Sequence, residues 1–430
     1  MPFMRGLRIT GGNRLTGTVT AHGAKNAVLP ILAATVLCPE VEIKNCPELS
    51  DVTVSCHILR GLGYAVRREG DTLFLSREDE GCRSIPPEYM RAMRSSILFM
   101  GGMLARCGSV TLCAPGGCAL GGRPIDLHLA ALRQMGAEIT EESGMLCCTA
   151  PYGLHGAAVT LPYPSVGATE NLLIAAAGIP AETRLSGAAA EPEITDLIGF
   201  LQGCGAKIEQ QPDGSLLVQG RERLSGCSHT VLPDRIEAAT YLAAAAITGG
   251  SIIVHTCPGH LAAPIAVLRR MGCQIQTKER SIALQAPKRL MGAGSLVTLP
   301  YPGFPTDLQA VFMSLAAAAD GCTALTETVF PRRWAHVEEL RRMGADITVA
   351  GNHAVVCGAP LSGSALTCTD LRAGAAVVLA ALAARGESTV TAVSHIERGY
   401  ADFVPTLRAL GGNIITLTEV SNPPKEVLSP

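Results

Sequence analysis

Six stretches of the chain are apolar on almost every side: Lys25 to Leu37, Arg91 to Ala105, Ala168 to Gly178, Arg235 to Thr248, Leu308 to Ala319 and Arg372 to Ala384. Alanine-rich runs such as RIEAATYLAAAAIT and RAGAAVVLAALAA favour helix, and the missing polar stripe predicts helices covered on most of their circumference. Short β-branched runs follow, for instance Gly108 to Leu112, Thr183 to Ser186, Ser251 to His255 and Ser388 to Val393, and each reads as a strand. A second, amphipathic helix then ends in a phrase of the form Leu-x-x-apolar-Gly-small-x-Ile, whose glycine predicts a left-handed cap. A β-hairpin completes the unit, as over Ile208 to Val218 with the turn Pro212-Asp213-Gly214.

The capping phrase begins at Leu59, Leu132, Leu201, Leu268, Leu340 and Leu407, at intervals of 73, 69, 67, 72 and 67 residues. Six copies of one supersecondary unit therefore account for the chain, and the period is far longer than a solenoid repeat. Leu161 begins LPYPSVGAT and Leu299 begins LPYPGFPTD, so related strings recur two units apart and the six copies divide as three plus three. A chain of 430 residues exceeds what one hydrophobic core usually serves, and two domains are expected.

Composition narrows the setting. Apolar residues make up 47% and charged residues 17%, with no run near the ~18 apolar residues of a membrane span. The amino terminus, MPFMRGLRITGG, lacks the apolar stretch of a secretion signal, and a cytoplasmic protein is expected. Sixteen cysteines without a CxxC pair read as reduced thiols scattered through the core. The net charge of −2 offers no general attraction to nucleic acid or an anionic membrane, so an anionic ligand needs local charges.

Such charges stand at the starts of the buried helices: Lys25-Asn26, Arg91 and Arg94, Ser165-Val166-Gly167, Asp234-Arg235, Thr306-Asp307 and Asp370-Leu371-Arg372. A helix amino terminus favours anions, and if equivalent ends point the same way these termini converge on one cleft. Asp and Ser there are ordinary caps, but Lys25, Arg91, Arg94, Arg235 and Arg372 oppose the helix dipole and call for an anion nearby. Four glycines surround Cys118 in APGGCALGGRPIDL, Ala114 to Leu127, which reads as a lid, and Arg123 close by favours the thiolate. Walker, dinucleotide-binding, HExxH and GxSxG patterns are absent.

The strings GAKNAVLP at Gly23, MRSS at Met93, PGGCALGGRPIDLH at Pro115, SVGATEN at Ser165, EPEI at Glu191, LPDRIEA at Leu232, FPTDLQA at Phe304, TETVF at Thr326, TDLRA at Thr369 and ERGY at Glu397 span the chain. Together they closely resemble the UDP-N-acetylglucosamine 1-carboxyvinyltransferase family of enolpyruvyl transferases. The resemblance implies an α/β fold of two inside-out α/β barrels built from six βαβαββ units. It also implies domains of 1–22 plus 232–430 and of 23–231, the amino-terminal strand joining the former.

The implied reaction transfers the enolpyruvyl group of phosphoenolpyruvate to the 3′-hydroxyl of UDP-N-acetylglucosamine with release of phosphate, the first committed step of peptidoglycan synthesis. By resemblance Cys118 is the general acid and a covalent residue, and Asp307 is the base at the sugar hydroxyl. Lys25, Arg123 and Arg398 match the cations around phosphoenolpyruvate, with Arg94 and Arg372 lining the same anionic region. Asn26, Arg94, the run Arg123, Pro124, Ile125, Asp126 and Leu127, then Ser165, Val166, Gly167, Asp307 and Val329 match contacts to the nucleotide sugar. No metal or other cofactor is implied, and neither nucleic acid nor membrane is an expected partner.

The chain departs from the family pattern at Tyr163, where Lys is common, at Ala190 and at His22, and Arg332 precedes the matched Arg333. Two other readings stay in view. A sister enzyme acting on shikimate 3-phosphate would carry Lys-Ser in place of Lys25-Asn26 and no Cys loop, and a non-catalytic paralogue would bind nucleotide sugar without turnover.

Overall fold

The computed structural model describes residues 4–113 and 125–420. Chain contacts divide it into two compact units, one comprising the chain up to Ala21 and from Arg235 onward, the other His22–Asp234. The crossings thus lie one residue before and three residues after the expected positions at 22/23 and 231/232.

Within His22–Asp234 three helices form the centre: Lys25–Ala34, Phe99–Cys107 and Val166–Ala177. The other unit has the equivalent trio Arg235–Ile247, Gln309–Ala318 and Leu371–Ala383. All thirteen residues of Arg235–Ile247 are buried, Arg235 and Glu237 included. This is the outcome that small alanine side chains permit, because they let helices approach closely without a wide polar face. Glycine serves the same end in the second helix. A Cβ at Gly101 would lie 2.4 Å from Asn171 Oδ1, and the Gly101 N–H donates to that oxygen at 2.8 Å.

Each central trio is covered by three sheets. In His22–Asp234 one sheet orders the strands Cys227–Thr230, Glu40–Lys44, Thr72–Arg77 and Tyr64–Glu69. The first of these comes from the far end of the unit and pairs in parallel, Cys227 opposite Val41. Alternation along the strands, as in Ser251–His255 with Ile252 and Val254 buried, turns one face of each sheet onto the helices.

The amino-terminal segment Met4–Thr10 pairs antiparallel with both Glu387–Thr391 and Asn413–Val420, so it fills the inner hairpin position that the sixth copy lacks. Thr16–Thr20 likewise supplies the parallel outer strand beside Ser251–His255. The sixth hairpin expected from the repeat is thus completed by the first residues of the chain.

The capping phrase behaves alike in all six copies. Gly63, Gly136, Gly205, Gly272, Gly344 and Gly411 have φ of +89, +95, +102, +97, +94 and +102°. In the last five copies the next N–H donates to the phrase's leucine carbonyl, as Ala137 to Leu132, which closes a Schellman cap. The residue after that leucine then donates its side chain six residues ahead, Arg60 to the Val66 carbonyl, Arg133 to Ile139, Gln202 to Ile208, Arg269 to Ile275, Arg341 to Ile347 and Arg408 to Ile414. The recurring Arg or Gln therefore locks helix to strand.

Two expectations need correction. The segment Arg91 to Ala105 is not one helix: Pro87–Ala92 stops at the extended residue Met93, a 3₁₀ turn follows over Arg94–Leu98, and Phe99–Cys107 is the buried helix. Arg91 consequently lies exposed on the short helix rather than at a buried terminus. Among the cysteines, Cys322 and Cys357 form a disulfide, because the antiparallel register of Cys322–Thr326 with His353–Cys357 sets them opposite each other with Cα atoms 4.1 Å apart.

Candidate active site

Asp307 lies in the 3₁₀ turn Thr306–Leu308 that leads into the buried helix Gln309–Ala318. Arg333 Nη1 donates to its Oδ1 at 3.0 Å, and Arg372 Nη2 donates to its Oδ2 at 2.9 Å. Both guanidinium groups are almost wholly buried, so the two ion pairs operate at low local dielectric. Burial alone would raise the Asp307 carboxyl, but the charges of Arg372 and Arg333, with their hydrogen bonds, hold it well below the usual carboxylate range.

Arg372 opens the helix Leu371–Ala383, where a cation opposes the dipole, and Asp307 is an anion on its side chain. Asp370 caps the same helix, its Oδ1 accepting from the N–H groups of Arg372 and Ala373 at 2.8 and 2.9 Å. The Arg372 guanidinium carbon stands 5.2 Å from the centre of the Tyr400 ring, and the Tyr400 hydroxyl is 3.0 Å from Thr240 Oγ1. Of the two adjacent arginines, Arg332 is exposed and Arg333 serves the site.

Val329 lies in the turn that follows the strand Cys322–Thr326. Its N–H and that of Phe330 both donate to Glu327 Oε1 at 2.9 Å. Glu327 has no exposed surface and was not singled out from the sequence; the string TETVF contained it, but only the structure shows what its carboxylate gathers.

In His22–Asp234, Lys25 opens its helix with the ammonium 2.8 Å from Asp51 Oδ2, while its N–H donates to Asp234 Oδ2 at 3.2 Å. One anion beside this cation is Asp51 on the neighbouring helix Ser50–Gly61. Asp234, expected as an ordinary cap where the chain crosses between units, also binds this first helix. Asn26 is half-buried beside Lys25.

Arg94 begins the turn Arg94–Leu98, and its charge acts on His128. Burial first, then Arg94, push the His128 imidazole down to about 4, so it is neutral at pH 7. Asn171 Nδ2 lies 3.1 Å from His128 Nδ1 and also donates to the Ile97 carbonyl at 3.1 Å, which leaves the imidazole proton on Nε2. A Cβ at Gly167 would stand 3.1 Å from His128 Cε1, so glycine at 167 fits the ring. Ser165 caps the helix Val166–Ala177 by accepting from the Ala168 N–H at 3.4 Å. One turn on, burial together with Glu193 and Glu191 pushes the Glu170 carboxyl well above the carboxylate range.

Ile125 is the residue before the helix Asp126–Gln134, with Asp126 exposed and Leu127 half-buried on its first turn. Arg398 ends the 3₁₀ turn Val393–Arg398. Cys118, Arg123 and Pro124 lie outside the described residues. The structure therefore brings Asp307 and Arg372 together with Arg333, matched from sequence but given no role there, places Val329 in a turn held by Glu327, and adds Glu327 and Tyr400 to the residues named from sequence.

The sequence profile of the family described as EPSP synthase (3-phosphoshikimate 1-carboxyvinyltransferase) matches residues 9–407. The chain is similar to UDP-N-acetylglucosamine 1-carboxyvinyltransferase of Magnetococcus marinus, 46% identical over 414 residues that cover 94% of this chain and 98% of that protein. It is similar to the protein of that name numbered 1 in Symbiobacterium thermophilum, at 45% identity with 94% of each chain covered. The Zymomonas mobilis protein is 44% identical, with 95% of this chain and 98% of that one covered. Among solved structures, the enolpyruvyl transferase NikO from Streptomyces tendae superposes with a TM-score of 0.87 at 25% identity, over 96% of this chain and 99% of that one. EPSP synthase from Acinetobacter baumannii shares the fold, with a TM-score of 0.73 at 19% identity over 96% of this chain and 100% of that one.

Proposed function

The chain belongs to the UDP-N-acetylglucosamine 1-carboxyvinyltransferase family, and from that premise we propose how its residues carry the reaction. It is an enolpyruvyl transferase of peptidoglycan synthesis, moving the enolpyruvyl group of phosphoenolpyruvate to the 3′-hydroxyl of UDP-N-acetylglucosamine and releasing phosphate. The sugar oxygen adds to C2 of phosphoenolpyruvate while C3 takes a proton. Loss of a C3 proton and of phosphate from the resulting tetrahedral ketal then restores the double bond.

Asp307 accepts a hydrogen bond from the 3′-hydroxyl and receives its proton as the C–O bond forms. The clamp of Arg333 and Arg372 on its carboxylate is the observation that carries this reading, since it fixes the carboxylate and keeps it ionised. Lys25, Arg123 and Arg398 hold the phosphate and carboxylate of phosphoenolpyruvate. Preorganised cations of this kind stabilise charge that develops during addition, and loss of one costs a factor of about 100 or more. Asn26, Arg94, residues 123 to 127, Ser165, Val166, Gly167 and Val329 contact the nucleotide sugar. Cys118 delivers the C3 proton and also adds to the pyruvyl carbon; a tuned thiol suits both tasks. The reading includes a cytoplasmic setting, and no helix among the described residues is long and apolar enough to cross a membrane.

Phosphate release from phosphoenolpyruvate tests the proposal, with UDP-N-acetylglucosamine and shikimate 3-phosphate offered in separate reactions and products weighed by mass spectrometry. Turnover only with the nucleotide sugar is expected, and Cys118→Ser should abolish it while Cys118→Asp, which retains a proton donor, preserves part. Turnover with shikimate 3-phosphate, or tight binding without turnover, would reverse the assignment.

A further inference from the structure

We propose that Glu327 is a positioning residue for the nucleotide-sugar substrate, fixing Asp307 and Val329 through one buried carboxylate. The inference rests on the functional reading above and adds a residue to it. Glu327 Oε1 accepts from Thr298 Oγ1 at 2.8 Å and from the N–H groups of Val329 and Phe330 at 2.9 Å. Glu327 Oε2 accepts from Thr306 Oγ1 at 2.9 Å. Thr306 Oγ1 in turn accepts from Arg333 Nη1 at 3.1 Å, and the same Nη1 donates to Asp307 Oδ1. One chain of bonds therefore runs from Glu327 through Thr306 and Arg333 to the carboxylate of Asp307.

The two ends of this network need different things, and a carboxylate satisfies both. Four donors point at Glu327, two hydroxyls and two amides, so an acceptor-only group is required. An amide in its place would turn an N–H toward a donor. Glu327 is fully buried, and charge-assisted bonds of this kind are stronger than neutral ones. Its main chain is fastened as well, the Glu327 N–H donating to the Asn352 carbonyl at 2.8 Å and Asn352 Nδ2 donating back to the Glu327 carbonyl at 3.3 Å. The donor of Asp307's bond is thereby tied to a rigid turn, not to a free side chain.

A turn-stabilising role alone would account for the two amide bonds but not for the link through Thr306 to Arg333. Thr306→Val cuts that link and leaves the turn intact, so it separates the two. Steady-state kinetics with both substrates should show KM for UDP-N-acetylglucosamine raised about tenfold in Thr306→Val, as expected for loss of a hydrogen bond in a charged network. KM for phosphoenolpyruvate should stay within about twofold, because the chain of bonds ends on Asp307, the residue assigned to the sugar hydroxyl, and Thr306→Ser should restore the wild-type value. Glu327→Gln should move the same KM in the same direction; if it fails to fold, the Thr306 pair decides. Unchanged KM values in a folded Thr306→Val variant, or equal rises for both substrates, would overturn the role of Glu327 alone. Absence of turnover by the wild-type chain would instead sink the functional reading, and this inference with it.

Discussion

A carboxylate with a guanidinium on each oxygen is stabilised as an anion and is for that reason a weak base toward a free alcohol. Asp307 is in this position, so its proton transfer must accompany C–O bond formation, when the hydroxyl becomes acidic. The sign of the pH dependence follows from the direction in which the carboxyl is displaced. A carboxyl held well below its usual range stays ionised from pH 5 to 9, so an acid limb in kcat/KM within that range reports another group. Asp307→Asn should lower kcat by about 10²- to 10⁴-fold, the usual worth of a positioned base, while the midpoint of any acid limb in the residual activity stays put. Disappearance of the limb in Asp307→Asn would reassign it to Asp307. Of these residues, Asp307 and Arg372 were legible in sequence because a charged residue at the start of an apolar helix is conspicuous. Glu327 was not, since a single acid between threonines gives no hint that four donors will surround it.

At the scale of elements the repeat is what made the fold readable. The glycine of each capping phrase proved left-handed in every copy, which only a shared local conformation explains. The break at Met93 was missed because Arg91 to Ala105 holds no proline, although the polar run Arg94-Ser95-Ser96 interrupts its apolar pattern. The sixth hairpin also could not be read locally, since its inner strand is supplied about 400 residues away in sequence by Met4–Thr10. The cap itself offers a clean test at Gly344, where φ is +94° and an added Cβ would find its nearest atom 3.8 Å away, so sterics with neighbours do not enter. Gly344→Ala should cost about 1–2 kcal/mol through the backbone alone, read as a lower urea midpoint at unchanged slope. No loss of stability would mean that the left-handed residue is not needed to end the helix.

Over the whole molecule, each unit hides one neutral histidine, and this sets how the protein responds to acid. Burial first, then Arg94, lower His128 to about 4, and burial lowers His336 to about 4 against the opposing charge of Asp370, with Arg333 adding a smaller push in the same direction as burial. The unfolded chain takes up these protons near pH 6.5 and the folded one does not, so unfolding binds protons throughout the window between about 6.5 and 4. Stability must therefore fall as pH drops through that window, each histidine removing up to about 1.4 kcal/mol for every pH unit crossed while only the unfolded chain carries its proton. Glu170 acts in the opposite sense: its raised carboxyl is protonated in the fold before it is in the unfolded chain, which favours the folded state as pH falls toward the ordinary carboxylate range. The Asp307 contribution is fully present above about pH 4 and is lost only below it. The histidine part is isolated by comparing slopes. Urea midpoints measured from pH 7.5 to 5 should decline in the wild-type chain and decline less in the double variant His128→Gln and His336→Gln, whatever its absolute stability. Equal slopes would show that the two imidazoles are already protonated in the folded protein, and with that the neutral hydrogen bond from Asn171 to His128 would have to be redrawn.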